Sequence, residues 1–195
     1  MKQNILDLRP TQMALGMREV QIRAKRLKDM KDSEREKYLQ DNPAPIVVGK
    51  KKRLYLIDRH HLARACWEAG IEKLYCEIRA DLSDLSSEDL WKVMSSSKWI
   101  HPFDQFGNGP HDIRHMPEDI RGMANDPYRS LSWFVRTEGG FEKTRIPFAE
   151  FQWANYFRKY VKTFPNKDHF EEALKEALDL AKHNNAKDLP GFKSK

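Results

Sequence analysis

Cysteine is scarce in this chain, with only Cys66 and Cys76 among 195 residues. That density excludes a disulfide-built scaffold. With no export signal ahead of them, the pair reads as reduced packing residues, one in an expected helix and one in an expected strand. Long apolar runs are missing as well. No stretch reaches the length needed to cross a bilayer, and Met1-Lys2-Gln3-Asn4 leads into a polar segment rather than a signal peptide. The expectation is a cytoplasmic protein with no membrane partner. There is no internal repeat and no low-complexity segment. Gly107-Asn108-Gly109-Pro110 forms a turn rather than a phosphate loop of the Walker kind.

What is present suffices for a core. Apolar residues make up 39%, with five Trp, ten Phe and six Tyr, so disorder is not the expectation. The length fits one domain, or one domain with a substantial appendage. The net charge of +6 is unevenly spread. Residues 1–80 carry 18 Lys and Arg against 11 Asp and Glu, whereas the remainder carries 17 against 18. A basic first half favours an anionic partner there: nucleotide, phosphate or nucleic acid. The nearly neutral second half suits a duplex-gripping module poorly.

Ile5-Leu6-Asp7-Leu8 alternates and predicts a short strand closed by Pro10. A charged helical stretch follows from Arg18 to about Gln40, with Val20, Ala24 and Leu27 as its inward stripe. Ile46-Val47-Val48 reads as a buried strand, Gly49 to Arg53 as a basic hairpin tip, and Leu54 to Ile57 as the next strand. Leu62, Ala65, Cys66 and Ala69 then recur at helical spacing until Gly70, and Leu74 to Ile78 gives another strand. Residues 1–80 therefore predict β-α-β-β-α-β.

Further on, Ser86 with Glu88-Asp89 predicts a helix over 87–96. A long aromatic loop occupies 99–116. Pro117, Pro127 and Pro147 each fit a first helical turn, with Asp126 capping the second of these helices. The third spans about Pro147 to Phe164 and carries aromatics nearly all round. Asn166 is placed as the cap of a last amphipathic helix.

The fold class expected is α+β. A small mixed-sheet unit, 1–82, carries an all-helical extension, 83–183, packed on it, with a loose tail at 184–195.

The junction Ile57-Asp58-Arg59-His60-His61-Leu62-Ala63-Arg64-Ala65 ends a strand and starts a helix. The first amides of a helix lack intrahelical partners, and the helix dipole puts partial positive charge there. With Arg59, His60, His61 and Arg64 added, the corner can seat phosphate. The alternative is that Asp58 caps the helix and the histidines are surface polar groups.

Three boxes, Leu8-Arg9-Pro10-Thr11-Gln12 with Arg18-Glu19-Val20, Pro45-Ile46-Val47-Val48, and Tyr55 to Ala65 with Ala69-Gly70, resemble the ParB/sulfiredoxin-like superfamily. The nearest branch is that of small ParB-like proteins labelled as nucleases. The shared fold covers about the first 80 residues. Trp99 to Asp104 and Phe148 to Ala154 look like that branch's own helical extension. One fold hosts several activities, so the resemblance does not choose among them.

In ParB the corresponding box binds the phosphates of CTP beside DNA-binding helices. Arg59 falls where ParB has Gly, His60 and His61 replace Glu and Arg, Leu62 replaces a second Arg, and Arg64 matches a third. Sulfiredoxin's catalytic cysteine would fall near His60, so sulfinic-acid reduction is not expected. The free-serine kinases of this superfamily carry Asp-Gly-His-His-Arg. This chain keeps Asp58, His60 and His61 and lacks the glycine and the final arginine. A glycine would permit positive φ. Arg59 is expected to offer its guanidinium fork instead.

What the resemblance implies is a nucleotide-binding enzyme, a phosphotransferase or phosphohydrolase, taking ADP, ATP or CTP with Mg2+ and a small-molecule acceptor. Glu19 resembles the kinases' general base. His60 and His61 would join it as catalytic residues. Asp58, Arg59, Arg64, Arg9, Thr11 and Gln12 would hold phosphate or nucleotide. For Glu19 the bland alternative is a first-turn helix acid favoured by the dipole. The other readings are a ParB-like DNA-binding protein or nuclease, and a nucleotide-responsive module without turnover.

In the long loop, His101, Asp104, His111, Asp112 and His115 are metal-binding types, but their spacing matches no established zinc pattern. They read as pocket-completing polar residues or as loop scaffolding. Arg129, Trp133 and Arg136 share one helix face. That face either points arginines at the anion site or salt-bridges neighbouring acids.

Overall fold

Alternation and apolar runs place most strands of the first unit. In the computed structural model, which describes residues 1–193, these are β1 (Lys2–Asn4), β2 (Leu8–Pro10), β3 (Ala14–Leu15), β4 (Ala44–Val48), β5 (Leu54–Leu56) and β6 (Lys73–Asp81). Between them run helices α1 (Met17–Asp29), α2 (Asp32–Asp41) and α3 (His60–Glu68), and α4 (Ser87–Ser96) follows. Five strands form one sheet in the order β1-β6-β4-β5-β2. The pairs β1–β6 and β4–β5 are antiparallel, while β4–β6 and β2–β5 are parallel. The sheet is mixed and the fold class is α+β, as the sequence predicts.

β4 lies in the middle, and Ile46, Val47 and Val48 are buried, as a continuous apolar run requires. The parallel register of β2 on β5 sets Pro10 beside Leu56. That pairing delivers Thr11 to the corner where β5 ends.

The predicted strand at Ile5 to Leu8 is corrected. Asn4 accepts a hydrogen bond from the Leu6 amide, and Ile5–Asp7 closes into a 3-10 turn between β1 and β2. A side-chain oxygen two residues upstream competes with the ladder, and here it wins. The Arg18–Gln40 stretch is two helices, broken at Met30 and Lys31.

Contacts divide the chain into Met1–Leu15 with Glu19–Ala124, and Gly16–Arg18 with Asn125–Lys195. The boundary lies well past residue 82 because α4 and the long loop join the first unit's core. Leu90, Met94 and Ile100 pack with Val47, Tyr55 and Ile57, and Trp91, Trp99, Ile113 and Met116 close around them. Ser86 caps α4 through the Asp89 amide. Residues 117–126 hold only a 3-10 turn, Ile120–Gly122, and a short extended pair. The predicted helix after Pro117 is absent, so residues 117–137 contain a single α-helix and no helix-turn-helix.

The second unit is helical: α5 (Pro127–Thr137), α6 (Ala149–Tyr160) and α7 (Phe170–Leu180). Asp126 caps α5 by accepting from the Tyr128 and Arg129 amides. α6 stops four residues before Phe164, and its N-cap Phe148 is left-handed, φ 59°. Asn166 turns the chain ahead of α7 through the Asp168 and His169 amides rather than capping the helix itself.

Trp153, Phe157 and Phe170 are sealed in this core. Each such side chain contributes about 1.5–3 kcal/mol by burial. The tail expected to be loose is pinned through residue 192. Ala186 is buried, Leu189 and Phe192 pack on the core, and the Trp153 indole donates to the Pro190 carbonyl at 2.8 Å. Its last two residues, 194–195, lie outside the described part.

Candidate functional site

The corner after β5 is built by local rules and by one exception to them. Asp58 accepts from the Arg59 amide at 2.6 Å, and Arg59 is the N-cap of α3 with φ 62° and ψ 28°. Arg59 thus adopts the positive φ that a glycine would take freely. Its guanidinium donates to Asn42 Oδ1 at 3.1 Å, a tertiary contact that helps hold a conformation costing a non-glycine residue about 1–2 kcal/mol. No side chain caps α3, so the alternative in which Asp58 caps the helix does not hold.

His60 faces inward and is 2% exposed. Its Nε2 accepts the Thr11 amide proton at 3.1 Å, which fixes the neutral tautomer with the proton on Nδ1. Burial pushes its pKa down to about 4, against the opposing pull of Asp58 and the Leu56 carbonyl. His60 is thus a neutral acceptor at pH 7. It holds the corner and brings no charge to a phosphate.

Thr11 spends every polar group there. Its hydroxyl donates to the Leu56 carbonyl at 2.9 Å, and its own carbonyl accepts from the His101 amide at 2.8 Å. Gln12 is buried and bridges to His101.

Glu19 sits in the first turns of α1 and is 3% exposed. Its Oε1 accepts from Arg23 Nε at 2.8 Å, and its Oε2 lies 3.5 Å from His61 Nε2. The His61 side chain is 12% exposed, against 3% for Glu19. This pairing spans 42 positions and could not be read from spacing.

The arginines divide. Arg64 bonds Glu68 at 2.8 Å and the Ile120 and Arg121 carbonyls at 3.1 and 3.2 Å, so it braces the 3-10 turn at 120–122. Arg9 reaches Glu118 at 3.1 Å, but Glu118 is 89% exposed, and a surface pair of this kind is worth at most about 1 kcal/mol.

Of the loop residues, His101 is brought beside Thr11 and Gln12, its ring 4.7 Å from that of Phe103. Asp104 folds the loop tip on itself. Burial raises its pKa, but the Asn108 and Phe106 amides and His111 outweigh that and hold it below the ordinary carboxylate range. His115 is exposed. Arg129 belongs to the second unit, where it and Arg136 share the Glu150 carboxylate. The salt-bridging alternative describes that face.

Among the described residues no three His, Cys, Asp or Glu side chains converge as metal ligands. The Glu19 carboxylate is already engaged by Arg23 and His61. Both cysteines are buried and unpaired, with burial pushing the Cys66 thiol up to about 12 and the Cys76 thiol up to about 11. They are inert.

A mixed five-stranded sheet with an uncapped helix opening just past its fifth strand is a ParB-like architecture, and the sequence agrees. The family described as "Putative ParB-like nuclease" matches residues 1–159, and the chain belongs to that family. Among solved structures, the chain is similar to a protein from Agrobacterium tumefaciens known from its crystal structure. The two are 37% identical, the match covers 99% of this chain and 95% of that one, and the TM-score is 0.91. No curated protein matches. No helix of the described residues is long and apolar enough to cross a membrane.

Proposed function

We propose that the corner between β5 and α3 binds the phosphates of a nucleotide, and that the protein is a phosphotransferase or phosphohydrolase acting on it. The observation that carries this reading is the uncapped start of α3, with Arg59 at its N-cap and the pair of buried Glu19 and half-buried His61 beside it. Helix amides and guanidinium groups stabilise phosphate charge, and most of the rate in phosphoryl transfer comes from such positioning. Arg59 and Arg9 supply the cations, since Arg64 is spent on backbone carbonyls.

The general-base role passes from Glu19 to His61. Glu19 orients the imidazole and stabilises its charged form, while the ring takes the proton from an acceptor hydroxyl or a water. His60 keeps Thr11 and the turn in place. Nucleoside di- and triphosphates (ADP, ATP, CTP), carrying Mg2+ from solution, are the ligands to try.

Purified protein should melt at a higher temperature with one of these nucleotides, and Arg59→Ala should remove the shift. His61→Gln should keep the shift and lose phosphate release or transfer. Tight binding with no turnover by the native protein would reduce the reading to a nucleotide-responsive module.

A second reading, a ParB-like DNA-binding protein or nuclease, is favoured by the family description and by the basic first half. It takes over if duplex DNA shifts the melting point and is cut while no nucleotide has any effect.

A further inference from the structure

The second unit carries a surface that the corner at α3 does not use. α6 ends at Tyr160, and from Arg158 to Lys167 the sequence reads Arg-Lys-Tyr-Val-Lys-Thr-Phe-Pro-Asn-Lys, four cations and no acid. Two large aromatics stand out in this run, Tyr160 at 37% exposure and Phe164 at 55%. Lys159, Lys162 and Lys167 are exposed around them.

Each ring is held from below. Tyr160 packs on Tyr156 at 4.8 Å, and the Lys159 ammonium lies 5.1 Å from its centroid. Phe164 meets Tyr128 edge to face at 5.9 Å, and the Arg158 guanidinium lies 5.2 Å from the Tyr128 ring. The segment is clamped as well, because Glu176 accepts the Lys162 and Thr163 amides and Arg18 donates to the Asn166 and Lys167 carbonyls.

We infer that the 158–167 face binds single-stranded nucleic acid. Exposed, pre-positioned aromatics offer stacking platforms for bases, and flanking lysines meet the phosphates. The two rings are four positions apart in sequence, so their Cα atoms lie within about 14 Å, the length of about four stacked nucleotides. A duplex keeps its base faces covered, whereas a single strand leaves them open to stacking. The rings therefore favour the single strand. An anionic membrane surface would also attract lysines and aromatics, and the test separates it. None of these residues lies at the proposed nucleotide corner, so either proposal can fail alone.

The probe is a fluorescently labelled oligothymidylate of about ten nucleotides, titrated with the full chain and read by anisotropy. Saturable binding is expected that weakens steeply with salt. Replacing both Lys159 and Lys162 by Gln should flatten the log–log salt slope by about 1.4, since each single-strand phosphate contact is worth about 0.7. Tyr160→Ser with Phe164→Ser should weaken binding about thirty-fold, five-fold or more per ring, with the melting curve checked for folding. The lysine variant stands as the control if the aromatic one melts early. The proposal is overturned if the probe does not bind at low salt, or if both variants bind it unchanged. It is also overturned if vesicles rich in phosphatidylserine bind while the oligonucleotide does not.

Discussion

Acid should loosen this protein through one imidazole. The His60 ring is 2% exposed and its Nε2 lone pair is filled by the Thr11 amide, so burial pushes its pKa down to about 4. In an unfolded chain the same ring titrates near 6.5. Between those two values the unfolded state takes up a proton that the folded state refuses, and stability falls as the pH drops from about 6.5 to about 4.

The full span is about 3 kcal/mol, a sizeable part of the 5–15 kcal/mol typical of a folded domain. Urea unfolding from about pH 7.5 to about pH 4.5 would measure it in the native chain and in His60→Gln. The glutamine oxygen can accept from Thr11 but cannot titrate. Other ionisable groups act on both proteins alike, so the difference isolates the ring. The native protein should lose about 2–3 kcal/mol more than the variant across that range. Parallel curves, or an NMR titration of His60 centred near 6.5 or higher, would refute the reasoning.

Arg59→Gly should leave stability within about 1 kcal/mol of native, because relief of the left-handed conformation offsets the lost bond to Asn42. Arg59→Val should instead move the denaturant midpoint down by about 2 kcal/mol or more, as a branched side chain resists positive φ. Gly16→Ala should cost about 1–3 kcal/mol, since a Cβ there would lie 2.7 Å from the Ser130 nitrogen, and calorimetry would read it. Asp126→Ala removes the cap of α5 and the ion pair with Arg158, whose Nη2 lies 2.7 Å from Oδ2. A loss of about 3 kcal/mol is expected, with Asp126→Asn milder because it keeps the cap; denaturation midpoints of the two would check the order.

Where the physics is local, the sequence carries it. Ser86 ahead of an acidic first turn marks α4, and Asp126-Pro127 marks α5, because caps and first-turn prolines act within four residues. The mixed sheet follows from short apolar runs and from the hairpin at Gly49. The site is legible only in part. The superfamily boxes bring Asp58, His60 and His61 to notice, but which histidine faces inward depends on Thr11, 49 positions away. Arg64 looks like a phosphate ligand until the Ile120 and Arg121 carbonyls claim it from 56 and 57 positions off. Arg59 accepts positive φ with the support of a side chain on another segment. The tail reads as polar and loose, yet Leu189 and Phe192 are apolar signals within it, and Trp153 supplies the partner that a linear reading does not see.

Thr11 has a consequence for how the corner behaves over time. Its amide, hydroxyl and carbonyl each tie down a different piece of chain, so none of those pieces can drift without straining the others. Its amide hydrogen should therefore be among the slowest in the first unit to swap with heavy water, doing so only when the whole corner opens. One peak in a deuterium time course would then act as a gauge of that opening, independent of any assay for turnover.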